Sequence, residues 1–134
     1  MKYILDTNTC IRYIYINARA PRIRERMRSI TDVDIAVSAV TKAEMYAGSA
    51  GSHNPAASRA IQDSFFIRFA SIPFDDYAAD EFGRIRTYLK QSGTPIGPYD
   101  MQIAAIAVVH NLILITHNTK EFSRIGWLKI EDWE

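Results

Sequence analysis

The feature that most constrains this chain is the regular alternation of short apolar runs with longer segments of helical periodicity. Five runs are predicted as strands: residues 2–5, 35–37, 71–74, 112–115 and, at an edge, 128–130. Segments with apolar residues three and four positions apart separate them. Because strands separated by helices form a parallel sheet covered on both faces, the pattern predicts an α/β fold: a three-layer sandwich around a mainly parallel sheet of four to five strands.

The helical segments have recognisable start and stop signals. Helices are predicted at residues 9–16, 21–29, 40–47, 55–70, from 75 or 76 to before 93, and 99–110, with a helical turn at 119–123. Asn8 is a suitable cap for the first helix, and Pro21 suits the first turn of the second. The small residues of 48–52 predict a loop. The helix at 99–110 is apolar nearly all round, so we expect it to be buried.

Length and composition limit the class of protein. At 134 residues with 48% hydrophobic and 23% charged residues, the chain is predicted to form one domain spanning 1–134. The longest nearly apolar stretch, 103–109, is far shorter than a membrane span, and the N-terminus lacks the apolar core of a signal peptide. The single cysteine, Cys10, excludes an internal disulfide. We expect a soluble, cytoplasmic protein.

Four acidic residues fall where the predicted strands end. They are Asp6 after the first strand, Glu44 on the helix after the second, Asp100 in the first turn of the buried helix, and Glu121 beyond the fourth strand. Each also has a structural explanation. Asp6 could cap a helix, the sequence 41–44 matches a capping box, and Asp100 and Glu121 could complement helix dipoles.

The coincidence of the four acids favours a common role. Open α/β sheets place their sites at the carboxyl ends of the strands, and four carboxylates gathered there repel one another unless a cation neutralises them. Oxygen ligands without cysteine indicate Mg²⁺, for which Mn²⁺ can substitute. Such an ion lowers the pKa of bound water and neutralises charge on a phosphoryl group. The residues therefore predict metal-dependent phosphodiester hydrolysis.

Charge is unevenly distributed along a chain whose net charge is only +1. Six arginines between positions 12 and 28 face a single acid, Glu25; they are residues 12, 19, 22, 24, 26 and 28. We call this stretch the arginine ridge. It is compatible with a phosphate-bearing partner, and Arg22, Arg24 and Arg26 are the predicted substrate contacts. The alternative is a solvated helix face.

Four stretches also resemble the motifs of a known family. Residues 4–8 (ILDTN), 41–48 (TKAEMYAG), 93–105 (from GTPIGPYD) and 116–122 (THNTKEF) are similar in order and spacing to those of PIN-domain nucleases, and the last two to VapC-type toxins. The resemblance implies a PIN-like fold and a Mg²⁺-dependent endoribonuclease of a toxin–antitoxin module. Within that family it favours the subgroup that cleaves initiator tRNA, and it implies a VapB-like antitoxin, homodimers and larger assemblies with that antitoxin.

The resemblance also implies roles for single residues. Asp6 and Asp100 match the aspartates that hold the metal, and Glu44 and Glu121 match the acids of the second and fourth motifs. Many PIN domains have a further aspartate where this chain has Asn118, which carries no charge and makes a second metal ion less well held.

The Asn118 amide can still bind a metal ion or orient water, and two other positions, Asn8 and Thr116, look like polar residues that orient the carboxylates. Strand-end and capping hydrogen bonds are the alternative roles for both.

Two other functions are compatible with an acidic pocket on an α/β sheet. A phosphoryl-accepting receiver domain would use Asp75 and Asp76 after the third strand, but it leaves Glu44 and Glu121 unexplained. A catalytically inactive PIN fold that only binds a partner would not need four acids. Incubation with RNA, with and without Mg²⁺, distinguishes the three.

Overall fold

A five-stranded parallel sheet forms the centre of the molecule in the computed structural model, which describes residues 1–16 and 21–134. The strands are β1 (Tyr3–Leu5), β2 (Ile35–Ser38), β3 (Ala70–Ile72), β4 (Ile113–Ile115) and β5 (Ile130–Glu131). Their order across the sheet is β3-β2-β1-β4-β5, and every neighbouring pair is parallel. The predicted sandwich is confirmed, with the N-terminal strand at its centre.

Helices cover both faces of this sheet. They are α1 (Thr7–Tyr15), α2 (Pro21–Arg28), α3 (Ala39–Ala50), α4 (Pro55–Phe66), α5 (Asp76–Gln91), α6 (Pro98–Val109) and α7 (Thr119–Phe122). In the described ranges, no helix is both long enough and apolar enough to cross a membrane.

The core has two parts because the side chains of a strand alternate between the faces of the sheet. Ile4 and Leu114 contribute to the cluster that contains the apolar residues of α5 and α6. Leu5 and Val37 contribute to the opposite cluster, with buried residues of α1, α2 and α4. The register pairs Leu5 with both Val37 and Ile115, so the carboxyl ends of the three central strands lie level at one edge.

Two predicted helix starts are wrong. Asp6, not Asn8, caps α1: its carboxylate accepts the N–H of Thr9, and the helix begins at Thr7. Ser38 caps α3 by accepting the N–H of Thr41, so the capping box read into residues 41–44 does not form. In both cases the polar residue that ends a strand caps the next helix, because the chain turns directly from one into the other.

The two ends of the 48–70 region also differ from prediction. The expected loop at 48–52 begins later, since α3 continues to Ala50, and Ser49 is buried where α3 packs against α4. Tertiary packing outweighs the cost of Gly48, about 1 kcal/mol relative to alanine. The predicted 55–70 helix stops at Phe66, because Ala70 pairs with Ala36 in the sheet.

Candidate functional site

Asp6 is fixed at the carboxyl end of the central strand. Its backbone N–H donates to the carbonyl of Ile115 over 3.0 Å, which ties β1 to β4 at the point where both end. Only 4% of the residue is exposed. Burial raises the pKa of the Asp6 carboxyl, and hydrogen bonds from Thr116 and Thr9 act in the opposite direction. A buried carboxylate in this state gains stability from any cation that reaches it.

Asp100 lies in the first turn of α6, and three other carboxylates influence its charge. Loss of solvent and then the negative charges of Asp6, Glu44 and Glu121, in that order of influence, together raise its pKa from 3.8 to about 6. The structure therefore brings the four sequence-predicted acids within electrostatic reach of one another. Asp100 is half-buried, whereas Asp6 is almost fully enclosed.

Glu44 is held by a hydroxyl that the sequence motifs did not single out. The Thr7 hydroxyl donates to Glu44 Oε1 over 2.7 Å. Thr7 Oγ1 also lies 3.1 Å from Thr41 Oγ1, which is 3.3 Å from Ser38 Oγ. These three buried hydroxyls connect the ends of β1 and β2 to the carboxylate on α3. The adjacency of Thr7 to Asp6 was the available signal, but no spacing rule identifies such a chain.

Glu121 has a comparable support on the other side of β1. The Asn118 side-chain amide donates to Glu121 Oε2 over 2.7 Å, and the Asn118 backbone N–H donates to Thr116 Oγ1 over 3.0 Å. Thr116 is fully buried and also bonds to Asp6. Asn118 thus orients one acid without adding charge. Asn8, the other predicted orienting residue, is exposed in the first turn of α1.

The arginine ridge contacts the acidic end of the chain, residues 131–134, which we call the C-terminal segment. Arg26 Nη2 lies 3.2 Å from Glu131 Oε1, and Arg22 Nη1 donates to the backbone carbonyl of Glu134 over 3.4 Å. Arg24 donates to the backbone carbonyl of Tyr13 and lies over its ring. Arg19 falls outside the described residues. The described ridge arginines named here already have partners within the protein.

A separate trio of possible metal ligands lies beside this segment. In the part of the chain that the structure describes, His117, Asp132 and Glu134 place three ligand atoms within 4.8 Å of one another. His117 Nδ1 is 3.0 Å from Asp132 Oδ2, and Arg12 Nε is 3.1 Å from Glu134 Oε1. The trio contains none of the four predicted acids, and its groups pair with one another and with Arg12.

The four acids have no such pairing. Within residues 1–16 and 21–134, no lysine or arginine forms an ion pair with Asp6, Glu44, Asp100 or Glu121. Their donors are oxygens, the ligands that hard divalent cations prefer. Raised pKa values at Asp6 and Asp100 mark the electrostatic cost of leaving them without a counter-ion. The donor set therefore fits a divalent cation.

Comparison with known sequences gives full-length matches. The profile of the PIN domain matches residues 3–128. The tRNA(fMet)-specific endonuclease VapC of Salmonella typhimurium is 38% identical over 133 residues, covering 99% of this chain and 98% of that protein. Ribonuclease VapC2 of Haemophilus influenzae is 35% identical over 134 residues, with the same coverage.

Solved structures give the same result. The DNA-bound VapBC of Salmonella typhimurium matches with a TM-score of 0.93 at 39% identity, over 100% of this chain and 99% of that one. VapBC2 of Rickettsia felis, bound to a DNA fragment from its promoter, matches with a TM-score of 0.91 at 32% identity over the full length of both chains. Both are toxin–antitoxin complexes, so the likeness extends to proteins held by an antitoxin.

Proposed function

Since the chain belongs to the VapC family of PIN-domain ribonucleases, we propose that it is a toxin that inhibits translation by cleaving initiator tRNA in the anticodon stem-loop. The receiver-domain hypothesis is wrong, because the family match covers residues 3–128. We also propose that residues 1–134 act as a single nuclease domain.

One observation carries this proposal: Asp100 lies within electrostatic reach of three other carboxylates at the carboxyl edge of the sheet, and none of the four has an ion-pair partner among the described residues. Such a cluster is costly for the fold, and a ligand that removes the cost binds with the energy released. A protein with only a structural use for these residues would pair them, as it pairs the acids of the C-terminal segment.

PIN-family nucleases generally depend on a divalent metal ion, and we propose Mg²⁺, with Mn²⁺ as a substitute, held by Asp6, Glu44, Asp100 and Glu121. When bound, the ion supplies a Lewis acid that neutralises charge on the scissile phosphate. The hardness of the four oxygen donors supports the choice of metal.

The surrounding residues would keep the acids in place while substrate enters. Asp6 is fixed by the backbone of α1 and β4, Glu44 by Thr7, and Glu121 by Asn118. Asp100, the acid whose pKa is raised to about 6, holds a proton to a higher pH than an ordinary aspartate does. The rigid supports mean that little of the site has to be reorganised for the reaction.

The proposed partner is a VapB-like antitoxin. We expect an apolar segment of it to lie against the first helices and an arginine to reach Asp6, Glu44 and Asp100, because arginine forms two hydrogen bonds with a carboxylate. That contact would displace the metal and exclude RNA together. A homodimer that assembles further with antitoxin, and a cytoplasmic activity, belong to the same proposal.

The arginine ridge remains the proposed contact for RNA phosphates, at Arg22, Arg24 and Arg26. Its use requires that Arg22 and Arg26 exchange the C-terminal segment for phosphate, since both contact it now. Because each arginine would lose one hydrogen-bonding partner to gain another, the net free energy gained on RNA binding is reduced.

Incubation of the purified protein with initiator tRNA and elongator methionine tRNA, with Mg²⁺ and with EDTA, tests the function. We expect a single cut in the anticodon stem-loop of the initiator species, only with metal. Mapping of RNA 5′ ends after a brief pulse of expression identifies the substrate in the cell. Absence of any metal-dependent cleavage would favour a catalytically inactive PIN fold. Cleavage of another RNA in place of initiator tRNA would show that the proposed substrate is wrong.

A further inference from the structure

The loop that leads to Asp100 is flanked by basic side chains. After α5 the chain turns at Gly93, whose φ of +68° is a left-handed conformation that favours glycine. It then runs through Pro95 to the start of α6. Arg124, beyond α7, donates from Nη1 to the carbonyl of Pro95 over 3.1 Å. The loop is therefore tied to the segment that follows Glu121.

A small cavity of about 220 Å³ lies on the α5 side of the same loop. Arg86, Lys90, Pro95 and Met101 are among the residues that line it, and Met101 directly follows Asp100 in the chain. Arg86 and Lys90 are one helical turn apart and both are exposed. We call Arg86, Lys90 and Arg124 the loop patch.

Among the described residues, the members of the loop patch have no acidic partners, unlike Arg84 on α5. Across the described ranges, no ion pair involves any of its three members. Arg84, on the same helix, is 2.8 Å from Asp80 and 3.2 Å from Glu81. The positive charges of the loop patch are therefore not neutralised by acidic side chains that the structure describes. The patch lies beside the loop that leads to Asp100, so it is suited to attract an anionic chain that must approach Asp100.

We propose that the loop patch binds the phosphates of the RNA strand next to the scissile bond and guides it to Asp100. This inference rests on the proposed ribonuclease function and names the surface that the substrate uses. Phosphate groups satisfy the patch because guanidinium and ammonium groups form charge-assisted hydrogen bonds with phosphate oxygens. The backbone, rather than the bases, is the part of the RNA that the patch recognises.

The test compares two double variants that each remove two positive charges. In R86Q/K90Q the change lies in the loop patch. In K2Q/K129Q it lies immediately before β1 and β5, at the amino ends of the strands and so at the opposite edge of the sheet from Asp100. Binding of labelled initiator tRNA is measured in EDTA by fluorescence anisotropy over a range of salt concentrations, and cleavage is measured separately with Mg²⁺.

We expect R86Q/K90Q to raise Kd on the order of tenfold at low salt and to lower the salt slope by about 1.4 to 1.8, for two lost phosphate contacts. Its KM should rise while kcat stays within about twofold, because the site acids are unchanged. K2Q/K129Q should bind and cleave as the unmodified protein does.

Wild-type Kd and slope in R86Q/K90Q, or an equal loss in K2Q/K129Q, would overturn the proposal. If the unmodified protein does not cleave the tRNA at all, the proposed function fails, and binding in EDTA still decides whether the loop patch holds RNA.

Discussion

Two charged regions share the carboxyl edge of the sheet, and their charges are treated in opposite ways. Around the C-terminal segment, Arg26 pairs with Glu131 and Arg12 with Glu134. In the second region, which we call the acid pocket and which consists of Asp6, Glu44, Asp100 and Glu121, Asp6 is buried and Asp100 has a raised pKa. The described residues supply no ion pair to either of these two. The charges of the first region are paired within the protein, whereas the carboxylates of the second are neutralised only when a cation binds. Paired charge therefore belongs to the fold, and unpaired charge indicates the function.

The largest effect should come from changing the unpaired region. Asp100→Asn removes a proposed metal ligand, so cleavage should fall roughly 10²- to 10³-fold, since metal stabilisation of a transition state amounts to several kcal/mol. Initial rates with Mg²⁺ measure this, and circular dichroism checks the fold. Asp80→Asn, an exposed aspartate of α5 paired with Arg84, is the control and should keep full activity. Equal rates in all three proteins would remove Asp100 from the site.

Thr7 tests whether the pocket needs its supporting hydroxyl. Thr7→Val keeps the shape of the side chain and removes the donor to Glu44, which should lower kcat roughly 10-fold or more, the expected cost of a hydrogen bond to a charged group. Thr7→Ser restores the hydroxyl and should recover most of the rate. If serine and valine variants lose activity equally, packing rather than the hydrogen bond explains the loss.

Glu121 tests the metal affinity of the same region. Glu121→Gln removes one charge that Asn118 cannot replace, so the Mg²⁺ concentration for half-maximal activity should rise on the order of tenfold, with partial rescue by Mn²⁺. A metal titration of cleavage measures it. A variant that follows the wild-type curve throughout would leave Glu121 with only a role at the start of α7.

Asp100 also predicts how the metal-free protein responds to pH. Because its pKa is raised from 3.8 to about 6, the folded state binds this proton more tightly than the unfolded state. That contribution to stability is present below pH 4 and is lost as the pH rises through 6.

In EDTA, Asp100→Asn should therefore match the wild-type Tm near pH 4 and exceed it at pH 8. The group is half exposed, so we expect a screened gain on the order of 1 kcal/mol, about 3–5 °C. Thermal unfolding at the two pH values measures the difference. A Tm difference that is the same at both pH values would mean that the pKa of Asp100 is not raised in the folded protein.

The smallest effect should come from the paired region. Charge reversal of Arg22, Arg24 and Arg26 should weaken RNA binding and lower its salt slope by no more than about 1, because Arg22 and Arg26 already contact the C-terminal segment. Anisotropy over a salt series measures it, with the loop patch variant as the reference. A larger drop than in that variant would make the ridge the main RNA surface.

The acid pocket could be predicted from sequence because its geometry follows from topology. Once β1, β2 and β4 are parallel, the residues that follow them must meet at one edge, and Asp6 and Glu121 each lie just beyond a strand. The hydroxyl chain from Thr7 could not be predicted, since a threonine after a strand has many possible partners. The pairing of the arginine ridge was also missed, because Arg26 and Glu131 are 105 positions apart.

The central position of β1 in the sheet has a consequence for folding during synthesis of the chain. The earliest of the five described strands in the sequence is the central one, and it can pair with β4 only when residues 113–115 have been made. The set of four acids around Asp6 is therefore incomplete until β4 and Glu121, which follows β4, have been made. Contacts between such distant segments form late and slowly in folding. We therefore expect a nascent chain that stops before Glu121 to lack the cleavage activity proposed for the folded domain.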